Sequence, residues 1–120
     1  MSALEAPAVL VLWERVLGDL LDRTARFPKS VRFTFAARID AHALDILDAL
    51  IRARFAPAPE RAALLHAADT RLAVLRTLVR LSADRKYLDL PGLKHVATGL
   101  DEAGRMLGGW RRSLGAGGPP

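Results

Sequence analysis

Three stretches of the sequence carry residue types able to do chemistry, and in each the chemistry is the binding of negative charge. The first is Arg26-Phe27-Pro28-Lys29-Ser30-Val31-Arg32-Phe33-Thr34-Phe35. Arg26, Lys29 and Arg32 surround a proline, with Phe27, Phe33 and Phe35 between them. A helix starting here would offer unpaired amides and the positive end of its dipole, with Ser30 as its cap. That makes a corner suited to phosphate. The alternative is that Phe27 and Phe35 anchor the core while the cations only solvate a turn.

The second stretch holds Arg76 and Arg80, four residues apart, with Arg85 and Lys86 at the end of the same segment. Arg76 and Arg80 stand beside an apolar stripe, where guanidinium groups can reach carboxylates or phosphates of a partner. A solvated flank closed by internal pairs, such as Arg80 with Asp84, is the competing reading.

The third is Leu100-Asp101-Glu102-Ala103-Gly104-Arg105-Met106-Leu107-Gly108-Gly109-Trp110-Arg111-Arg112. Glycine in a helix costs roughly 1 kcal/mol against alanine. Gly104 and Gly108 share one face, so they predict a smooth strip for close packing, within the bundle or between subunits. Trp110 beside them suits an interface anchor. Arg105 and Arg112 again share a face, and Asp101 is placed to pair with Arg105. Otherwise the glycines mark a fraying end and Trp110 plugs the base of the bundle.

Other chemistries lack their residues. The chain contains no cysteine, which removes disulfides, thiolate metal sites and cysteine nucleophiles. His42, His66 and His95 fall on three different predicted helices, outside any Glu-x-x-His or His-Glu-x-x-His element, and read as core-edge or surface residues. No nucleophile elbow or phosphate loop is present. Asp101 and Glu102 are neighbours on a helix, about 100° apart, and do not form an acid/base dyad. The expectation is a protein with no catalytic site, no metal and no cofactor.

Four helical segments must position these groups. The first spans about 8–26, with Val9, Trp13, Val16, Leu17, Leu20 and Leu21 at three- and four-residue steps; Gly18 inside it suggests close packing. The second, about 30–55, carries Val31, Phe35, Ile39, Ala43, Ile46, Leu47, Leu50 and Ile51, with Asp48 and Arg52 spaced to pair on its wet face. The third, about 59–86, turns Leu65, Ala68, Leu72, Leu75 and Val79 inward, with Leu64 and Leu78 beside them. The fourth, about 93–114, uses Leu93, Val96, Ala97, Leu100, Ala103, Leu107 and Leu114. Pro28, the Ala56-Pro57-Ala58-Pro59 turn and Asp89-Leu90-Pro91-Gly92 separate them. No segment alternates with period two.

The predicted class is therefore all-α, an antiparallel up-down-up-down four-helix bundle over 1–114. A disordered Gly/Pro tail is expected over 115–120. The chain's 120 residues, 51% hydrophobic and 26% charged, fit one folded domain. No apolar run nears the roughly 18 residues that span a bilayer, and Met1 to Glu5 lack the basic start of a secretion signal. A cytoplasmic location is expected. The net charge of +5 suggests a polyanionic partner. A genome rich in arginine codons would also produce it, since arginine far outnumbers lysine.

Three motifs resemble the Avd accessory proteins of diversity-generating retroelements. Phe27-Pro28-Lys29-Ser30-x-Arg32-Phe33-Thr34 with Arg38-Ile39 is similar to the opening of their second helix. Leu75-Arg76-x-Leu78-Val79-Arg80-Leu81 with Asp84 and Lys86 is similar to their third. Leu100-Asp101-Glu102-x-Gly104-Arg105-Met106-Leu107-Gly108-Gly109-Trp110 resembles their closing motif. The resemblance covers about Trp13 to Ser113. A sister group of bundles, encoded in ribosomal RNA intervening sequences, shares the Phe-Pro-Lys-Ser start. That group continues with Asn-Ile-Ala-Glu-Gly, where this chain has Asp45-Ile46-Leu47-Asp48-Ala49. The alternative function, a protein-interaction module with no nucleic-acid role, belongs to that group.

The Avd resemblance implies a pentameric barrel that binds a reverse transcriptase together with RNA and DNA. Its members support copying of a template repeat into mutagenised cDNA and have no catalytic site. A ring of five would multiply the charge of one chain fivefold. Arg26, Lys29, Arg32, Arg76, Arg80, Arg105, Arg111 and Arg112 are the residues expected to meet nucleic acid or the polymerase. Contact would be electrostatic, since no helix carries an array able to read base edges. Gly104, Gly108 and Trp110 are expected at subunit contacts.

Overall fold

A computed structural model describes residues 7–115. The expectations for Met1 to Glu5 and for 116–120 lie outside the described residues, while Gly115, expected in the tail, ends the last helix. The described residues form four α-helices: α1 Ala8–Thr24, α2 Ala37–Phe55, α3 Ala58–Asp84 and α4 Leu90–Gly115. No strand occurs among the described residues. α1 packs on α2 and α4, and α3 packs on the same two. The bundle is elongated, 46 × 24 × 23 Å, close to the roughly 40 Å expected of its longest helix at 1.5 Å per residue.

The heptad-like stripes become the core. Trp13, Ile39, Leu50, Leu65, Leu75, Val79, Val96, Leu100 and Leu107 are almost wholly buried. Trp13 also ties two helices together, because its indole Nε1 donates to the Ala43 carbonyl on α2 at 3.0 Å. Burying a side chain of this size removes the largest single apolar area in the core from water. Thr24, at the end of α1, donates to Asp40 on α2 at 2.6 Å. Ser82, fully buried, is satisfied by the Leu78 carbonyl at 2.8 Å.

Some expectations fail locally. Gly18 has nothing within 4 Å of where a Cβ would stand, so it opens no close contact. Ile51 is 41% exposed rather than inward. Leu10 and Leu12 are buried although the stripe omits them, because α1 lies in the cleft between two neighbours and buries more than one face.

The second helix does not begin as a regular α-helix. After Pro28 the chain makes a 3-10 turn, Lys29–Val31, then a π turn, Arg32–Ala36, before α2. Ser30 sits inside the 3-10 turn and does not cap it; the preceding position is Pro28, with no side-chain cap. The Val31 amide is spent on the Pro28 carbonyl at 3.0 Å. The regular α-helical N-terminus capped by Ser30 is therefore not formed there.

The other two connections close through side chains. Arg61 folds back on the end of α2, its Nε donating to the Ala53 carbonyl at 2.8 Å and its Nη2 to that of Ala56 at 3.0 Å. A cation on the last carbonyls satisfies orphan acceptors and suits the dipole. Between α3 and α4, Lys86 takes φ 65°, a left-handed value costly for a non-glycine residue. Asp89 then caps α4, accepting from the Gly92 amide at 2.7 Å. Pro91 and Gly92 thus lie in the first turn of α4 rather than in a break before it, where proline's missing amide costs nothing.

Candidate nucleic-acid interface

The eight expected contact residues divide by what already holds them. Arg76 on α3 reaches across the seam to α4, where its Nη2 donates to the Leu100 carbonyl at 3.1 Å and stands 3.5 Å from Asp101. Gly104 makes this possible, since a Cβ there would meet the Arg76 guanidinium. Arg111 runs from α4 back to α3, with its Nη1 on Asp69 at 2.8 Å and its Nη2 3.2 Å from His66 Nδ1. Both are engaged within the chain. Among the described residues, Arg26, Lys29, Arg32, Arg80, Arg105 and Arg112 form no ion pair, and all are exposed.

Two of the expected local pairs do not form. Asp101 takes Arg76 in place of Arg105, and no Arg80–Asp84 bridge forms among the described residues. The Asp48–Arg52 pair does form, at 2.8 Å. It is wholly surface, and such pairs contribute little.

Arg80 and Arg105 flank an open groove of about 720 Å³ between α3 and α4, with Arg76, Asp69, Asp101 and Gly104 along it. Both acids are already matched, Asp69 by Arg111 and Asp101 by Arg76. The charge left over in the groove is therefore positive. Arg112 continues that side near the end of α4, its guanidinium 3.2 Å from the position a Cβ on Gly108 would take.

A second cationic region forms at the end of the bundle where the α1–α2 and α3–α4 connections meet. Tyr87 joins them: its ring centroid lies 5.9 Å from Phe27 and 5.4 Å from Phe35. The Arg85 Nε donates to the Tyr87 hydroxyl at 2.9 Å. Phe27 and Phe35 are thus held inward, as anchors. Arg26, Lys29 and Arg32 are exposed at the same end. Phe33 is 86% exposed.

Gly104 and Gly108 do not form a bare ridge. Gly104 seats an arginine of its own chain, and Gly108 lies under Arg112. Trp110 packs, partly buried, against the core. Its Nε1 is shielded from solvent and has no hydrogen-bond partner among the described residues.

A recurring unit was not visible in the sequence. His42 and Asp45, one helical turn apart on α2, both face Arg71 of α3, at 3.3 and 3.1 Å. His66 and Asp69 on α3 face Arg111 of α4 in the same way. Burial foremost, and then the Arg71 guanidinium, hold His42 below the ordinary histidine value, against the opposing pull of Asp45. Local spacing gives His-x-x-Asp, but the arginine that completes each unit is distant in sequence. His95 is exposed, 3.7 Å from Asp19.

Among the described residues, no group of His, Cys, Asp or Glu is arranged to hold a metal ion. No helix among the described residues is long and apolar enough to cross a membrane. No curated protein matches the chain. A family model described as bAvd-like matches residues 11–114, spanning all four helices.

Proposed function

Because the chain belongs to the bAvd-like family, we propose that it is the non-catalytic accessory protein of a diversity-generating retroelement. In this reading it binds the element's reverse transcriptase and its RNA, and so supports mutagenic copying of a template repeat into cDNA. The observation that carries the reading is the charge left unmatched on the surface. Arg80 and Arg105 remain open beside a groove whose acids are already taken. Arg26, Lys29 and Arg32 stand open at the bundle end. Unmatched cations on a rigid helical body attract a phosphate backbone without reading its sequence.

The bundle is read as antiparallel, up-down-up-down. Supporting this, partners on α2 and α3 count in opposite directions, Asp45 meeting Arg71 and Ala53 meeting Arg61. A homopentamer in the cytoplasm is part of the same proposal. The subunit contacts are open to placement beyond the expected glycine strip, because Gly104 is occupied by Arg76.

The test is reconstitution with a reverse transcriptase of a diversity-generating retroelement and its template RNA. Template-repeat cDNA is expected only when the chain is added. Equal cDNA with and without it overturns the proposal.

A further inference from the structure

We infer that Phe33 is a stacking platform for an unpaired nucleobase, with Arg26, Lys29 and Arg32 holding phosphates of the same single strand. This rests on the nucleic-acid binding proposed above and assigns it a strand type and a contact residue. The ring is 86% exposed, more than any other large apolar side chain among the described residues. Leaving a ring of this size in water forgoes the stabilisation that burial would contribute.

The local backbone accounts for its position. The π turn over Arg32–Ala36 turns Phe35 inward onto Tyr87 and buries Ala36, while Phe33 is left outward. Such turns occur frequently at functional sites. Phe33 has no stacking or cation–π neighbour among the described residues, whereas Arg54 covers the ring of Phe55 at 5.2 Å.

The surroundings favour a base over a protein surface. Along the chain Phe33 is flanked by Lys29, Ser30, Arg32 and Thr34, all exposed and polar. The cores of protein interfaces are depleted of charge and gather apolar groups. Phe55, the other exposed phenylalanine, fits that description, since it borders an apolar groove with Ile51 and Leu64. A lone open ring among cations is the arrangement by which proteins hold single strands, with the bases on an aromatic face and the backbone on positive charge. A duplex keeps its bases stacked on one another and offers nothing to the ring.

The test compares fluorescence anisotropy of a short unstructured RNA and of the duplex of equal length, using wild type, Phe33→Ala and Phe33→Trp. Phe33→Ala is expected to weaken single-strand binding by about fivefold to a hundredfold and to leave duplex binding unchanged. Phe33→Trp is expected to restore the single-strand affinity, with indole emission quenched as strand is added. Equal losses on both probes, or no loss on either, overturn the inference alone. So does light scattering in which Phe33→Ala breaks an assembly that wild type forms, since the ring is then a subunit contact. Wild type that binds neither probe overturns the nucleic-acid reading, and the inference with it.

Discussion

The guanidinium of Arg76 lies over Gly104, bridging α3 to the Leu100 carbonyl of α4 at 3.1 Å. A glycine whose spacing suggests room for a neighbouring helix makes room for an arginine of its own chain. Gly104→Ala would place a methyl against the mobile end of that side chain and move it off the carbonyl. Alanine gains roughly 1 kcal/mol of helix propensity, while a charged hydrogen bond contributes about 1.5–3 kcal/mol and less when solvent can replace it. Urea unfolding is expected to show a net loss of no more than about 2 kcal/mol. A larger loss would mean that backbone packing, and not a side-chain seat, requires the glycine.

Trp110 gives a sharper contrast. Its indole N–H is shielded and has no partner among the described residues, and a buried donor left unpaired costs about 1–3 kcal/mol. Trp110→Phe removes that donor and keeps most of the ring, so its stability should fall within about 1 kcal/mol of wild type. Trp110→Ala removes the packing as well and should cost about 3 kcal/mol or more. Similar large losses in both variants would show that the N–H is bonded in solution.

The reach of sequence reasoning can be read from these same residues. Helix number and most core positions follow from three- and four-residue periodicity, which reports one face of one helix at a time. That suffices for Leu65, Leu75 and Leu100, all fully or almost fully buried. It does not suffice for Leu10 and Leu12, buried because two neighbours flank α1. Nor can it assign Arg76 or Arg111, whose partners lie 24 and 42 residues away. Local spacing offers Arg105 to Asp101, and the tertiary fold brings Arg76 instead. The π turn before α2 is invisible to an α-helical template, and with it the outward course of Phe33.

Acid should weaken the α2–α3 seam through His42. Burial and Arg71 lower its folded pKa, whereas the unfolded chain titrates near the ordinary value of about 6.5. Between those two values the unfolded chain holds the extra proton, so the contribution of a neutral His42 is full above the ordinary value. It is lost as pH falls through the lowered one. In urea midpoints measured from about pH 7 down to about pH 5, His42→Asn should lose less stability than wild type. Parallel curves for the two proteins would contradict this.

Asp89 should matter to α4 more than its exposure suggests. Its carboxylate accepts from the Gly92 amide at 2.7 Å, and Asp89→Ala removes that cap at a cost of about 1 kcal/mol. Thermal melts of Asp89→Asn should fall close to wild type, since an amide oxygen also caps. If the alanine and asparagine variants melt together well below wild type, the carboxylate acts by charge and not as a cap.

The central claim is that open cations on this bundle bind a nucleic-acid backbone, and the salt dependence of RNA affinity measures it most directly. For a single strand, the log–log slope falls by roughly 0.7 for each phosphate that is no longer neutralised. Wild type should lose affinity steeply as salt rises. Arg80→Ala with Arg105→Ala should flatten that slope by more than one unit, because two phosphates go without their cations. Arg52→Ala, whose side chain pairs with Asp48, should leave it unchanged. An affinity indifferent to salt, or a slope that the Arg80 and Arg105 changes do not move, contradicts the claim.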